Sequence, residues 1–234
     1  MKATVDDLKR YAFCPKFYEQ QGSLKSLHDE SAKDFTALLT FLFRRDMETE
    51  VKQNWNAVEK RWVKIFYQSH NAADSPKELQ LFNRSLVAIH KFHKWYLKQP
   101  TDVVAVNYTL ATEVYNHQII GEIPALLTGK DGLSLIMTEP ITDPPAAKVS
   151  PGVRYLSMAL GEEFPVKTVH NVALIDYQIF HVETFEPSAR YWELAMLDFV
   201  NLMQSMQGPL TYPNTISCPV CPIQMTCEVL KGNG

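Results

Sequence analysis

The sequence is short of several things that would each announce a function. It has only 9 glycines among 234 residues. None of them builds the loop that cradles phosphates in ATPases or the G-x-G-x-x-G turn of dinucleotide-binding folds, so no nucleotide cofactor is expected. No run of 18 uncharged apolar residues occurs, which argues against a helical membrane span. The start, Met1-Lys2-Ala3-Thr4-Val5-Asp6-Asp7, puts two acids where the apolar stretch of a signal peptide would begin. The expectation is a cytoplasmic protein whose thiols stay reduced. Neither sign of charge predominates: 23 Lys and Arg against 26 Asp and Glu leave a formal net charge of −3. Nucleic acid therefore gains no general attraction, and any contact with it has to be a local basic patch. Ser157 and Ser188 lack the setting of a nucleophile elbow, which removes acyl transfer. His117 and His170 have no second ligand at metal spacing and read as strand residues.

Cysteine is scarce too, four residues in all, but it is placed unevenly. Cys218, Cys221 and Cys227 form C-x2-C-x5-C in a proline-rich tail, while Cys14 stands alone in Tyr11-Ala12-Phe13-Cys14-Pro15-Lys16. Thiols grouped in this way read more economically as ligands of one metal centre than as two disulfides. The competing reading is four buried apolar residues. Soft thiolate sets select zinc or an iron–sulfur cluster, and spacing does not separate the two. Either centre would tie the two ends of the chain together.

The apolar pattern divides the rest. Val5 to Phe13 reads as a short helix that stops at Cys14-Pro15, because the residue before proline avoids the helical region. Asp29 to about Ser69 carries apolar residues at helical spacing, as one long helix or two in series. Arg44, Arg45, Lys52, Lys60, Arg61 and Lys64 are interleaved there with Asp46, Glu48, Glu50 and Glu59, which reads as a solvated face. Ser75-Pro76 with Glu78 opens a helix to about Lys98. Its second half gathers His90, Lys91, His93, Lys94 and Lys98, either as cations favoured near a helix C-terminus or as a phosphate-contacting face. From Asp102 the period becomes that of strands: Val103 to Leu110, Glu113 to Tyr115, His117 to Leu127 and Leu133 to Met137, with Asp131-Gly132 as a hairpin signal. Pro140 to Pro151 is a loop, Gly152 to Leu160 a short helix, and Thr168 to Glu186 a strand pair. A helix opened by Pro187-Ser188-Ala189 ends at Gly208-Pro209. The fold class expected is α+β in a single domain, 1–234. Its mainly helical part, 1–100, carries Cys14; 101–207 is the core of a mixed β-sheet flanked by helices, and 208–234 is a cysteine-bearing tail. Trp55, Trp62, Trp95 and Trp192 lie on apolar helical faces and read as core.

This order of elements, with one cysteine after the first helix and C-x2-C-x5-C at the end, resembles the RecB-like branch of the P-D-(D/E)-x-K nucleases. The resemblance is to its iron–sulfur subgroup, of the AddB and CRISPR-adaptation exonuclease type. The Cys-Pro pairs and Leu210-Thr211-Tyr212-Pro213-Asn214 fit the same phrasing. The resemblance implies a four-iron [4Fe-4S] cluster on Cys14, Cys218, Cys221 and Cys227, with zinc as the alternative. It also locates the catalytic motifs. The family's G-x-I-D, whose aspartate binds magnesium or manganese, is Gly121-Glu122-Ile123-Pro124 here. Its acid and lysine on the next strand, the second metal ligand and the orienter of the attacking water, fall on Met137 and Glu139, and its tyrosine on Tyr155. Neither proline nor methionine offers a side-chain oxygen, so the carboxylate pair that would hold a hard cation and activate water is missing.

The resemblance thus implies a catalytically inactive nuclease-like protein acting as a nucleic-acid- or protein-binding accessory subunit in DNA processing or transcription. The alternatives are an active exonuclease with a displaced site, rescued by Glu122, Glu139 or Asp143, and a purely structural or redox-responsive partner subunit. Local nucleic-acid contacts would fall to Lys91, Lys94, Lys148 and Arg154, and the near-neutral charge favours a protein partner.

Overall fold

A computed structural model describes residues 2–4, 7, 8, 10, 11, 14–19, 29–70, 75–114, 116–129, 132–138, 166–208 and 227. A short strand β1 (Lys2–Thr4) leads into a helical turn at residues 7, 8, 10 and 11, and then into α1 (Pro15–Glu19). Three longer helices follow: α2 (Asp29–Thr49), α3 (Trp55–Ser69) and α4 (Pro76–Tyr96). Then come β2 (Asp102–Val114), β3 (His117–Gly129), β4 (Gly132–Met137), β5 (Val166–Ile175) and β6 (Ile179–Phe185), and last α5 (Ala189–Gln207).

The expected helical stretch from Asp29 to Ser69 is two helices, and the break has a local cause. Glu50 takes a left-handed φ of 55° after the last turn of α2. Asn54 then caps α3, its side chain accepting from Ala57 N at 3.1 Å and satisfying a donor that the helix leaves free. β1 was not foreseen, because three residues are too few to show alternation. The turn behind it is a reciprocal cap: Asp7 N donates to Thr4 Oγ1 (3.1 Å) while Thr4 N donates to Asp7 Oδ2 (2.9 Å).

The six strands form one mixed sheet with helices on both faces, the α+β architecture read from the sequence. β2, β3 and β4 run antiparallel in sequence; β4 pairs parallel with β5, and β6 returns antiparallel. On one face α2, α3 and α4 pack through Phe35, Leu39, Phe43, Trp62, Phe66 and Phe92 onto Ala125, Leu127, Ile136 and Val172. On the other, Phe199, Met203 and Met206 of α5 join Leu8 over Ile119, Ile123, Leu135 and Met137. Each such side chain, fully buried, contributes about 1.5–3 kcal/mol. Trp62 is fully buried, its indole donating to Ser85 Oγ at 2.8 Å, and Trp55 and Trp95 are partly buried in the same core.

Candidate functional site

β3 is where the sheet divides. Its whole length pairs with β2 on one edge, while the other edge is shared: β1 takes residues 118–120 and β4 takes residues 125–129. Residues 121–124 cross the gap between those two partners, and Pro124 is the last of them. Proline in a central strand removes a ladder donor and is tolerated at irregularities. That is its position here. The β2 register passes from Val106↔Ala125 to Tyr108↔Ile123, skipping Asn107 and Pro124. Asn107 has a positive φ of 52°.

The alternation of side chains slips at this level in both strands. In β3, Ile119 and Ile123 face the α5 side, but Ala125 and Leu127, which a regular strand would put on the same face, pack against α2–α4. In β2, Leu110 and Tyr108 face the α5 side, and so does Ala105 rather than Val106. A double irregularity therefore sits at Asn107 and Pro124.

One step beyond Ala125↔Ile136, the antiparallel register sets Pro124 opposite Met137. The two positions at which the resemblance expects metal-binding carboxylates are thus side by side, and both are buried; Met137 is 1% exposed, packed with Leu135 in the α5-side core. Across β5 its register partner is Asn171, a buried amide. Glu122, considered as a rescue, was expected to share a face with Pro124. Instead it is exposed, on the face of β3 away from Ile123 and Met137, because the alternation slips between the two positions. Glu139, Asp143, Tyr155, Lys148 and Arg154 lie outside the described residues, as do the loop from Pro140 and the helix from Gly152.

Of the four cysteines, Cys14 and Cys227 are described and both are buried, at 5% and 7% exposure. Cys14 sits where expected, at a helix end. Its N donates to Arg10 O, and its carbonyl accepts from Tyr18 N, both at 3.0 Å, so it joins the first helical turn to α1. Tyr11 and Tyr18 meet edge to face beside it, with ring centroids 5.8 Å apart. Cys218 and Cys221 lie outside the described residues, and among the described residues no group of three metal-capable side chains occurs.

The cationic second half of α4 resolves into separate roles. Lys91 and Lys94 are exposed. His90 packs against Trp55 with centroids 4.7 Å apart, and His93 is buried, its Nε2 donating to Gln53 O at 3.1 Å. The latter belongs to a polar cluster that sequence reasoning missed. Tyr96 OH donates to buried Asp46 Oδ1 at 2.5 Å and accepts from Gln53 N at 3.1 Å, while Lys52 Nζ donates to the Tyr96 carbonyl and lies over its ring. Burial raises the Asp46 and Tyr96 pKa values and lowers that of Lys52 to about 8. The cluster fastens the segment between α2 and α3 to the end of α4. His170, on β5, keeps the strand role expected of it: Nδ1 is 2.9 Å from Thr184 Oγ1, the ring meets Trp95 edge-on, and burial lowers its pKa.

No family model and no curated protein matches the chain. Among solved structures it is similar to the protein named "Putative exonuclease" from Eubacterium rectale. The TM-score is 0.51 at 9% identity, over 95% of this chain and 86% of that one. A second similar structure is that of SSO0001, with a TM-score of 0.43 and 11% identity over 97% of this chain and 85% of that one. At 9% identity the first likeness is one of fold alone, a mixed sheet flanked by helices.

Proposed function

We propose that this chain is a nuclease-like module that does not cut nucleic acid and serves as a binding subunit in DNA processing or transcription. The observation that carries this reading is that Pro124 and Met137, each one step past the paired Ala125 and Ile136, are both buried and offer no side-chain oxygen. A magnesium or manganese ion needs hard oxygen ligands and room for water. Burial under α5 offers Met137 neither. The single exposed acid on the neighbouring stretch of β3, Glu122, is on the wrong face to substitute.

Cys14, Cys218, Cys221 and Cys227 would hold a [4Fe-4S] cluster, with zinc as the alternative occupant. Such a centre, when bound, links the chain's two ends. The buried Cys14 and Cys227 support this assignment, and the slot left by catalysis makes binding the remaining task of the fold.

The test is cleavage of end-labelled single- and double-stranded DNA by protein purified anaerobically, with magnesium or manganese. Full-length substrate is expected at every time point. Cleavage that stops with EDTA and is lost in Glu122→Ala or Glu139→Ala would show an active site that has moved, and would end this reading.

A further inference from the structure

A cavity of about 410 Å³ opens on the outer side of α2 and α3, and its lining is chemically one-sided. Lys33, Thr36, Thr40 and Arg44 form one stripe along α2, spaced three or four residues apart, so they stack on a single face. Arg61 of α3 closes the opposite wall, its guanidinium carbon 4.7 Å from the centroid of the Phe41 ring. Among the described residues, no carboxylate lines the cavity. Three of the five α2 acids are committed elsewhere: Asp34 accepts from Ser69 and Tyr177, Asp46 from Tyr96, and Glu48 pairs with Arg45.

The three cations are left without counterions. Among the described residues, the side chains of Lys33, Arg44 and Arg61 make no hydrogen bond and no ion pair, and Arg61 Nε is buried without an acceptor. A buried donor without a partner costs about 1–3 kcal/mol, so the buried Nε of a guanidinium held on an aromatic ring is a donor that an anion in the cavity would satisfy. A chain of net charge −3 does not bring three such cations together by composition. The cavity also adjoins the altered sheet. Thr40 Oγ1 donates to Asn107 Oδ1 at 3.1 Å, and Asn107 lies at the same level of β2 as Pro124 of β3.

We infer that this cavity is a phosphate site. Arg61 and Arg44 would supply guanidinium forks, Lys33 a point charge, and Thr36 a hydroxyl. Forks match the paired oxygens of phosphate better than a single ammonium does, and three cations suit a phosphate better than one carboxylate. The volume lies within the 300–1,000 Å³ range of small-ligand pockets and is roomy enough for a phosphate with its sugar. The site gives a place to the binding role proposed above, and rests on that reading for its choice of a nucleic-acid strand as the source of phosphate. A free mononucleotide would bring the same chemistry.

The experiment uses the full chain and fluorescence anisotropy with a 5′-labelled single-stranded oligonucleotide, and adenosine 5′-monophosphate as competitor. The triple variant Lys33→Gln, Arg44→Gln, Arg61→Gln is expected to bind at least about tenfold more weakly. Its salt dependence should flatten by about 0.7 in log–log slope, the contribution of one phosphate contact on a single strand. Lys77→Gln/Lys167→Gln, two exposed lysines away from the cavity, is the comparison and should bind like the unmodified protein. Should the triple variant fail to fold, the exposed Arg44→Gln alone still has to weaken binding. Binding of adenosine 5′-monophosphate read directly by titration calorimetry, without oligonucleotide binding, keeps the phosphate site and assigns it to a free nucleotide. Equal weakening in the Lys77/Lys167 variant, or failure of both probes, overturns the site. Cleavage by the unmodified protein would fell the inactive-nuclease reading and leave this one standing, so the two fail separately.

Discussion

Replacing Cys14 by serine is expected to remove most of the soluble, folded protein and, in anaerobic preparations, its brown colour. Cys14 and Cys227 are buried at the two ends of the chain, so a centre that holds both restrains nearly the whole chain in its unfolded state. For a covalent link across a loop of 100 residues that restraint is worth about 4.7 kcal/mol, a large share of a domain's net stability of about 5–15 kcal/mol. Serine keeps the size of the side chain but not the soft thiolate. Cys14→Ala and Cys227→Ser should therefore behave alike. The measurement is soluble yield with iron, sulfide and zinc content per chain. A colourless protein with one zinc per chain would replace the iron cluster by zinc. Unchanged yield and melting in Cys14→Ser would remove the centre altogether.

The second large effect is expected at Tyr96→Phe, with a loss of about 2–4 kcal/mol in urea unfolding. The ring is fully buried, and its hydroxyl holds Asp46 Oδ1 and satisfies Gln53 N. Asp46 Oδ2 is buried without a partner among the described residues. Removing the hydroxyl would leave that carboxylate held at neither oxygen, along with a bare backbone donor. Asp46→Asn in the same background should recover part of the loss, because it removes the charge. A change below about 0.5 kcal/mol would mean that the cluster is not a fastening. The same cluster sets a pH dependence through Lys52. Burial lowers its pKa from 10.5 to about 8, against the pull of Asp46. Between those values the unfolded chain holds a proton that the folded chain has released, so this group's contribution to stability rises with pH across that window. The urea midpoint of the unmodified protein, relative to Lys52→Met, should climb from pH 8 towards 10.

Much of this fold can be read from periodicity, because long elements average out local exceptions. The β2 to β4 meander, the Ser75-Pro76 helix start and α5 stand close to where spacing puts them. What escaped has short-range causes. The Thr4/Asp7 cap is written in Thr4-Val5-Asp6-Asp7 and was legible in principle. The slip at Pro124 was signalled by a proline inside an otherwise apolar strand, but its consequence, that Glu122 and Pro124 part company, depends on the matching irregularity at Asn107.

The cavity was hidden for a different reason. Counted along the sequence, Asp46 and Glu48 neutralise Arg44 and its neighbours, and the stripe reads as solvated. In the fold Asp46 turns into the core and Glu48 is taken by Arg45, so proximity in sequence overstated the cancellation. Conversely, Lys91 and Lys94 drew notice beside His90 and His93, yet the histidines have packing partners of their own.

The claim that Pro124 and Met137 occupy the places of a metal-binding carboxylate pair is tested most directly by melting Pro124→Asp/Met137→Asp with and without manganese. Two carboxylates side by side in a site as closed as that of Met137, 1% exposed, should destabilise the metal-free variant, since like charges are withdrawn from water together. Manganese that binds only the folded variant should return about 2.7 kcal/mol at a hundred times its Kd. The expected result is a melting temperature that rises with manganese in the variant and does not move in the unmodified protein. A variant indifferent to manganese, or an unmodified protein stabilised by it, would contradict the assignment.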